Sequence, residues 1–359
     1  MRVLHLDGQP GFRGGQRQLF LLAEAQASDP MSPDPTCLVR SEGLVKLLMS
    51  AGIEAQQWSG PSSPRGAVQL RQALSAAHGA ILHAHCARSH GALRVLASRT
   101  EQRRLVVHRR IDNPPGQGPL DRAKYAVGRF ICISSAVALE LRRVGVSASR
   151  IHIVPSATPL ASSNMRAPVF QPRDLESLSL LAVGALVPHK GHDLLVRGMA
   201  LARDDAGLET RLTIVGDGPQ REKLRALAGT LGLADSVDLV RYSDERVEAG
   251  HRAAGLFVQP SRTEGLGSAV LDAMARGLPV LASPVGGLVE LVGEGTGSLA
   301  SSASSEGLSE ALVRFAEERG RDPASIQARC HAAWTRVRTM HSPSAMLAGV
   351  RSVYDALDV

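Results

Sequence analysis

The chain has 359 residues, of which 44% are hydrophobic and 3% aromatic, and its formal net charge at pH 7 is +7. This length is sufficient for two domains that each bury a core, and the 35 glycines with few aromatics favour α/β packing over a β-sandwich. Four cysteines without a Cys-x-x-Cys pair predict neither a zinc site nor a disulfide framework, which favours a reducing cytoplasm. No apolar leader segment and no run of about eighteen apolar residues occurs, so we expect neither secretion nor a membrane span.

The charge is distributed unequally along the chain. Residues 1–160 contain 20 Lys and Arg against 10 Asp and Glu, whereas residues 161–359 contain 21 against 24. The basic residues are concentrated between positions 88 and 129 and include Arg103 and Arg104. Arginine pairs with phosphate and carboxylate groups in bidentate geometry, so one interpretation is an anionic partner such as a membrane, a lipid-linked diphosphate or a nucleic acid. The other interpretation, equally open, is that these arginines lie on solvated faces.

The first half of the chain predicts alternating strands and helices. Short apolar runs predict buried parallel strands at Val3–Leu6, Thr36–Val39, Ala80–His83, Leu105–Val107, Phe130–Ile133 and Ile151–Val154. Apolar periodicity predicts helices at Gln16–Ala27, Leu44–Ala51, Ala67–Ala77 and Gly91–Ser98. We therefore predict a Rossmann-like domain over residues 1–160.

A stretch rich in Ser, Ala and Pro follows and predicts a linker over residues 161–175. The alternation then restarts, with strands predicted at Leu178–Val183, Arg211–Val215, Val237–Val240, Gly255–Val258 and Pro279–Ala282, and helices at His192–Arg203 and Gln220–Leu231. Residues 176–340 thus predict a second Rossmann-like domain. With right-handed crossovers, the two parallel sheets are expected to face each other across a cleft that holds ligands at the strand carboxyl ends.

The segment from Gln259 to Val289 narrows the function most. An apolar strand leads into a turn that holds Glu264, and a helix after the turn carries Ser268 and Asp272 on one face. A helix N-terminus suits phosphate, and carboxylates accept hydrogen bonds from sugar hydroxyls. The turn therefore predicts a sugar-nucleotide site.

This segment resembles the acid-x7-acid signature of the retaining glycosyltransferases of family 4 (glycosyl transferases group 1), which have the GT-B fold. The family pattern is Pro-Ser-x-x-Glu-Gly-x-Gly-x-x-x-x-Glu-Ala-Met-Ala-x-Gly-x-Pro-Val. This chain departs from it at Asp272, whose side chain is one methylene shorter than the family's glutamate. The resemblance implies donor contacts from Glu264, Gly265, Leu266, Gly267, Ser268 and Asp272, with Glu264 also catalytic.

Two further elements of the second domain resemble the family. The run Val183–Gly191 is similar to Gly-Arg-Leu-x-x-x-Lys-Gly, which implies that Gly184 and Lys190 contact the donor and that Lys190 neutralises its diphosphate in catalysis. Ala185 stands where the family has Arg, and the sequence does not choose between Arg262, His189 and a first-domain arginine as its substitute. Gly216 lies in a turn that resembles a family turn near the nucleotide base, and the resemblance implies that Gly216 contacts the donor there. Gly216-x-Gly218 could begin the Gly-x-Gly-x-x-Gly motif of a dehydrogenase. Position 221 is Arg instead of the third glycine, so that dinucleotide-binding motif is incomplete.

In the first domain, Gly14 and Gly15 resemble the family's glycine pair beside the donor diphosphate. His108 falls where several members have a catalytic histidine near the reacting sugar, and Arg109, Arg110 and His85 are candidate acceptor contacts. His83, His85, Cys86 and His90 leave metal binding conceivable, although polar or structural roles are favoured. Ser134 matches a family turn and is a candidate helix cap.

The resemblance implies a retaining glycosyltransferase that moves a sugar from a nucleoside-diphosphate sugar to a glycan, cell-envelope or lipid-linked acceptor. It further implies that residues 341–359 form a helix that packs back on the first domain. No Asp-x-Asp triplet occurs, so we expect no metal or other cofactor, and we expect no nucleic-acid partner. The expected location is cytoplasmic or peripheral on the inner membrane face. Two alternatives stay open: a decayed GT-B protein that binds sugar nucleotides, and an epimerase or phosphorylase of the same fold.

Overall fold

The structure is a computed structural model that describes residues 2–111, 115–116, 118–162, 177–293 and 295–357. It divides into two compact units, residues 1–159 with 340–359 and residues 160–339, which are called here the first unit and the second unit. The predicted linker, residues 161–175, lies outside the described residues except for its first two positions. Among the described residues, no helix is both long and apolar enough to cross a membrane.

The first unit contains a seven-stranded parallel sheet. Its strands are β1 (Arg2–Asp7), β2 (Asp34–Val39), β3 (Glu54–Gln57), β4 (Ile81–Ala84), β5 (Leu105–Arg109), β6 (Arg129–Cys132) and β7 (Ile151–Ile153), in the order β3-β2-β1-β4-β5-β6-β7. The helices are α1 (Gly14–Ala27), α2 (Glu42–Ser50), α3 (Pro64–Ala76), α4 (Ala87–Leu96), α5 (Arg99–Gln102), α6 (Pro119–Tyr125) and α7 (Ser135–Arg143). The strand order reverses between β1 and β4, so the loops at the carboxyl ends of these two strands diverge and leave a crevice.

The second unit contains a six-stranded parallel sheet. Its strands are β8 (Leu178–Val183), β9 (Thr210–Val215), β10 (Val237–Val240), β11 (Leu256–Gln259), β12 (Val280–Ala282) and β13 (Ser298–Leu299), in the order β10-β9-β8-β11-β12-β13. The helices are α8 (His192–Ala206), α9 (Arg221–Thr230), α10 (Asp244–Ala253), α11 (Ser268–Ala275), α12 (Leu288–Val292), α13 (Ser305–Arg321) and α14 (Pro323–Met340). Here the order reverses between β8 and β11, whose carboxyl ends carry the loops of Lys190 and Glu264.

The last helix, α15 (Pro343–Asp355), belongs to the first unit. Its residues Met346, Val350 and Val353 recur at helical spacing and share a buried cluster with Val3 and Ile81 of the central strands. Burial of this apolar stripe stabilises the helix against the first sheet, at about 25 cal/mol per Å² of apolar surface removed from water.

Two parallel α/β sheets were predicted, and this prediction is confirmed. The predicted strands match observed strands to within a residue or two. Strands β3 and β13 were not predicted, because the β3 sequence Glu-Ala-Gln-Gln contains no apolar run and is mostly exposed, and β13 has only two residues. Helix α1 begins at Gly14, two residues before the predicted start, and α4 begins at Ala87, four residues before its predicted start.

Candidate functional site

An ion pair joins two of the predicted site residues in the second unit. Lys190 Nζ lies 2.5 Å from Glu264 Oε2, and only 22% and 13% of the two side chains are exposed. The same carboxylate oxygen accepts hydrogen bonds from the Ser261 hydroxyl at 3.2 Å and from the Gln259 side-chain amide at 3.3 Å. Three donors thus fix the orientation of the Glu264 carboxylate.

The backbone around Gly191 explains how Lys190 reaches Glu264. Gly191 has φ +66°, and a Cβ atom there would collide with the carbonyl oxygen of Pro260. The amide of Arg262 also donates to the carbonyl of His189 at 2.8 Å. Because only glycine permits this approach, the turn after β8 packs directly on the turn after β11. Gly191 is therefore needed for the packing of the two turns, whereas the resemblance implies a donor contact for Lys190.

The glycine turn after Glu264 leads directly into α11. Gly267 has φ +99° and precedes Ser268, the first residue of the helix. No side chain caps this N-terminus, and its first turn has no acidic residue. Ser268 and Asp272 are both half-buried and lie one turn apart on α11. An uncapped N-terminus presents amide N–H groups and the positive end of the helix dipole, which favours phosphate.

Arg262, one candidate substitute for the arginine missing at Ala185, is bound within its own unit. Its guanidinium forms a bidentate pair with Asp193, with both N–O distances 2.7 Å, and donates to the carbonyl of Pro188 at 2.8 Å. The hydrogen bond from Arg262 holds the pKa of Asp193 below its usual range. Arg262 thereby braces the turn that carries Lys190.

Gly184 and Gly216 follow neighbouring strands, and their backbones lie in direct contact. A Cβ atom at Gly216 would collide with the carbonyl oxygen of Gly184. Arg221 donates to the carbonyl of Gly216 at 2.7 Å and to that of Leu239 at 2.7 Å. At Gly216, glycine is therefore required for close packing of two loops, whatever contact it makes with a ligand.

His192 is a residue that the sequence analysis missed. It is the first residue of α8 and only 2% exposed, and a Cβ atom at Gly184 would lie 3.9 Å from its Nε2. Burial, followed by the charge of Lys190, lowers the pKa of His192 to about 4. Its position directly after Lys190-Gly191 is the sequence signal that could have identified it.

The first unit contains a cavity of about 620 Å³ at the carboxyl ends of β1, β4 and β5. It brings together five predicted residues: Gly15, His85, His108, Arg109 and Arg110. Gly14, the first residue of α1, is exposed beside Gly15. The predicted residues thus form two groups, one in each unit, and Ser134 caps α7 by accepting from the amide of Val137 at 3.2 Å.

A chain of hydrogen bonds runs inward from the cavity wall. Arg110 Nη2 donates to Nδ1 of His85 at 3.1 Å and to Nδ1 of His108 at 3.3 Å. Because a guanidinium only donates, both imidazoles carry their proton on Nε2. Nε2 of His85 then donates to Nδ1 of His5 at 2.8 Å, and Nε2 of His5 donates to the Gln26 side-chain oxygen at 2.7 Å. One set of neutral tautomers satisfies every bond in this chain.

Burial keeps His5, His83, His85 and His108 neutral. Each residue is 5% exposed or less, and burial is the largest cause that lowers the pKa of each. The pKa of His5 falls to about 4, and the pKa values of His83, His85 and His108 fall well below the ordinary value. The charge of Arg110 lowers all four further. The imidazoles therefore act as hydrogen-bonding groups near neutral pH.

His5, His83 and His85 form a histidine cluster. Their ring nitrogens lie within 4.8 Å of one another, which is close enough to share a metal ion. The tautomers argue against that use, because a metal needs a lone pair where His85 Nε2 carries its proton. The positive guanidinium of Arg110 beside His85 adds charge repulsion. His83 Nδ1 is in turn 2.6 Å from the hydroxyl of Tyr354. We interpret the cluster as a hydrogen-bonded network.

Comparison with known proteins identifies the family. The family model described as "Glycosyl transferases group 1" matches residues 168–330. The GDP-mannose-dependent alpha-(1-6)-phosphatidylinositol monomannoside mannosyltransferase of Mycobacterium tuberculosis is 30% identical over 314 residues, which cover 82% of this chain and 74% of that protein. The chain belongs to the glycosyl transferases group 1 family.

Other relatives align over shorter stretches. The enzyme of the same description from Mycolicibacterium smegmatis is 36% identical over 37% of this chain, and the D-inositol 3-phosphate glycosyltransferase of Streptomyces griseus is 35% identical over 45% of this chain. The chain spans only 37% and 36% of the length of these two relatives.

Solved structures of low identity share the fold over nearly the whole chain. HepE of Anabaena in complex with UDP-glucose has a TM-score of 0.77 at 18% identity, and the match covers 99% of this chain and 100% of that one. The sucrose-phosphate synthase of Thermosynechococcus elongatus has a TM-score of 0.77 at 20% identity, with 99% of each chain covered. The predicted GT-B fold is confirmed.

Proposed function

We propose that this protein is a retaining glycosyltransferase that transfers a hexosyl group from a nucleoside-diphosphate sugar to an acceptor. The observation that carries the proposal is the pairing of Lys190 with Glu264 at 2.5 Å, beside the uncapped N-terminus of α11. Both residues lie in the segment that the family model matches. A cation, a hydrogen-bond acceptor and a helix N-terminus in one place suit a diphosphate joined to a sugar.

The residues divide the chemistry between them. Lys190 and the amides of α11 stabilise the charge that grows on the departing diphosphate. The Glu264 carboxylate accepts hydrogen bonds from hydroxyls of the donor sugar and holds the ring in place. The departing phosphate oxygen accepts the proton of the acceptor hydroxyl as the new glycosidic bond forms on the same face. In this mechanism no protein nucleophile is needed, and fixed charges take the place of a metal ion.

The donor and acceptor are proposed at the level of chemical class. Relatives are named for GDP-mannose and for D-inositol 3-phosphate, and a structural neighbour was solved with UDP-glucose, which together favour a nucleotide-sugar donor. The basic first unit favours an anionic acceptor, such as a lipid-linked or cell-envelope glycan precursor, reached in the cytoplasm or at the inner membrane face.

A second candidate is a sugar-nucleotide-binding protein with a decayed catalytic site. The observation that favours it is Ala185 at the family's arginine position, with Arg262 bound to Asp193 rather than free. Binding without turnover would follow if the diphosphate has too little positive charge around it.

A donor panel separates the two candidates. Purified protein is offered UDP- and GDP-sugars, and both heat of binding and slow hydrolysis of the sugar nucleotide are measured. Binding with hydrolysis, in which NMR shows that the sugar is first released with the anomeric configuration of the donor, is the expected result. Binding without hydrolysis favours the decayed protein, and binding to no sugar nucleotide contradicts both.

A further inference from the structure

The cavity in the first unit is lined by hydrogen-bond donors. Among the described residues, its wall contains Arg13, Arg109 and Arg110 and no Asp or Glu. Arg13 is exposed at the start of α1, and Arg109 donates to the Tyr125 hydroxyl at 3.2 Å. A cavity with this wall has a positive potential and selects an anion.

Arg110 has an unusual set of partners for a partly buried cation. Its Nη2 atom donates to two neutral imidazoles, His85 and His108, and no carboxylate of the described residues forms an ion pair with it. Its Nε is buried without a hydrogen-bond partner. Burial lowers the pKa of Arg110 to about 10, while Asp7 and Cys86 act in the opposite direction. A partly buried positive charge without an ion-pair partner is costly, so the site gains stability when an anion binds.

The start of α1 points to the same conclusion. The N-terminus of α1 begins at Gly14 without an acidic residue in its first turn. The carboxylate of Asp7 accepts from the amide of Gln9 and from the side chain of Gln16, so it is already bonded.

We propose that this cavity binds the phosphate group of a phosphorylated acceptor, with Arg110 and Arg13 as its charge partners. Phosphate fits because its oxygens accept several hydrogen bonds and pair with guanidinium in bidentate geometry. A volume of about 620 Å³ leaves room for the rest of a small polyol or sugar beyond the phosphate. That the bound phosphate belongs to an acceptor rests on the proposed function, whereas the binding of phosphate in this cavity does not.

The test is direct binding to the full-length protein at fixed ionic strength. Calorimetry compares glycerol phosphate with neutral glycerol, and separately measures UDP and GDP, for the wild type and for Arg110→Gln and Arg13→Gln. Arg71→Gln is the matched control, because Arg71 is exposed on α3 and does not line the cavity. Circular dichroism checks that each variant is folded, and exposed Arg13 keeps the test valid if Arg110→Gln unfolds.

We expect glycerol phosphate to bind while glycerol does not. Arg110→Gln should lose about tenfold or more in affinity, Arg13→Gln about threefold, and Arg71→Gln nothing, with UDP and GDP affinities unchanged. Equal affinity for glycerol phosphate in all four proteins overturns the proposal. Loss of UDP and GDP binding in the cavity variants also overturns it, since the cavity phosphate is then the donor's diphosphate. Glycerol phosphate binding needs no sugar-nucleotide donor, so it tests the cavity even if the donor panel shows no binding.

Discussion

Lys190 and Glu264 are 74 positions apart in sequence, yet Nζ of one lies 2.5 Å from Oε2 of the other. The two residues proposed to act on the diphosphate and on the sugar are thus bonded to each other in this structure. A largely buried pair of this kind is costly to break from one side, because the remaining charge loses its partner. A double-mutant cycle on the pair should therefore show strong non-additivity in donor affinity.

Replacement of Glu264 by Ala should lower kcat/KM for sugar transfer by about a hundredfold or more, because the donor sugar loses an acceptor that positions it in the transition state. Steady-state kinetics with the best donor from the panel measure this. Glu245→Ala, at an exposed position on α10, is the control and should leave kcat/KM unchanged. Unchanged turnover in Glu264→Ala would remove this residue from the site.

Replacement of Lys190 by Ala should weaken nucleoside diphosphate binding by about tenfold, since one charge-assisted contact to phosphate is lost. Calorimetry with UDP and GDP measures the effect, and Lys223→Ala, exposed on α9, serves as the control. Binding of the free nucleoside should change little. Equal diphosphate affinity in the variant and the wild type contradicts the phosphate role of Lys190.

Sugar transfer should persist in excess EDTA, because Lys190 and the N-terminus of α11 stabilise the leaving diphosphate without a metal ion. The measurement is the transfer rate before and after chelation, with removal of the chelator as the control. Complete loss of the rate that is restored by added manganese or magnesium rules out this mechanism.

The buried histidines should make the protein sensitive to acid. The pKa values of His5 and His192 fall to about 4 in the folded chain, and those of His83, His85 and His108 also fall. Below about pH 6.5 the unfolded chain binds more protons than the folded chain, so the free energy of unfolding decreases as the pH falls toward 4. Each histidine contributes a slope of up to about 1.4 kcal/mol per pH unit in this window.

Urea unfolding between about pH 7.5 and pH 5 tests this slope. His83→Leu should reduce the slope by about one histidine's share, whereas His78→Gln, at an exposed position, should not. A free energy of unfolding that is constant over this range contradicts burial of the neutral cluster.

The basic first unit should bind anionic vesicles in a salt-dependent way, at about 1 kcal/mol per basic residue near the surface. Cosedimentation with neutral and anionic vesicles should show binding that weakens as the Debye length shortens from about 10 Å at 0.1 M salt to about 3 Å at 1 M. Replacing Arg103 and Arg104 with Ser should weaken it, and replacing exposed Arg65 and Arg71 on α3 is the control. Equal binding to neutral and anionic vesicles assigns the arginines to solvated surface.

The sequence by itself determined the fold class and the chemistry of the turn at Glu264. Strands and helices were predictable because buried parallel strands require apolar runs. The turn was predictable because its acid, glycines and helix start lie within one continuous segment, where spacing determines which groups face together. Strand β3 escaped prediction because it lies at the sheet edge, where apolar side chains are not needed.

Only the tertiary structure decided which distant residues meet. Lys190 reaches Glu264 because β8 pairs with β11 and because Gly191 admits the backbone of Pro260. The pairing of Arg262 with Asp193 depends on the same contact between turns. Likewise, His5 lies against His85 because β1 pairs with β4 in one particular register. Strand order and register arise from packing of the whole chain, and a one-residue slip of β1 would turn His5 to the opposite face of its sheet.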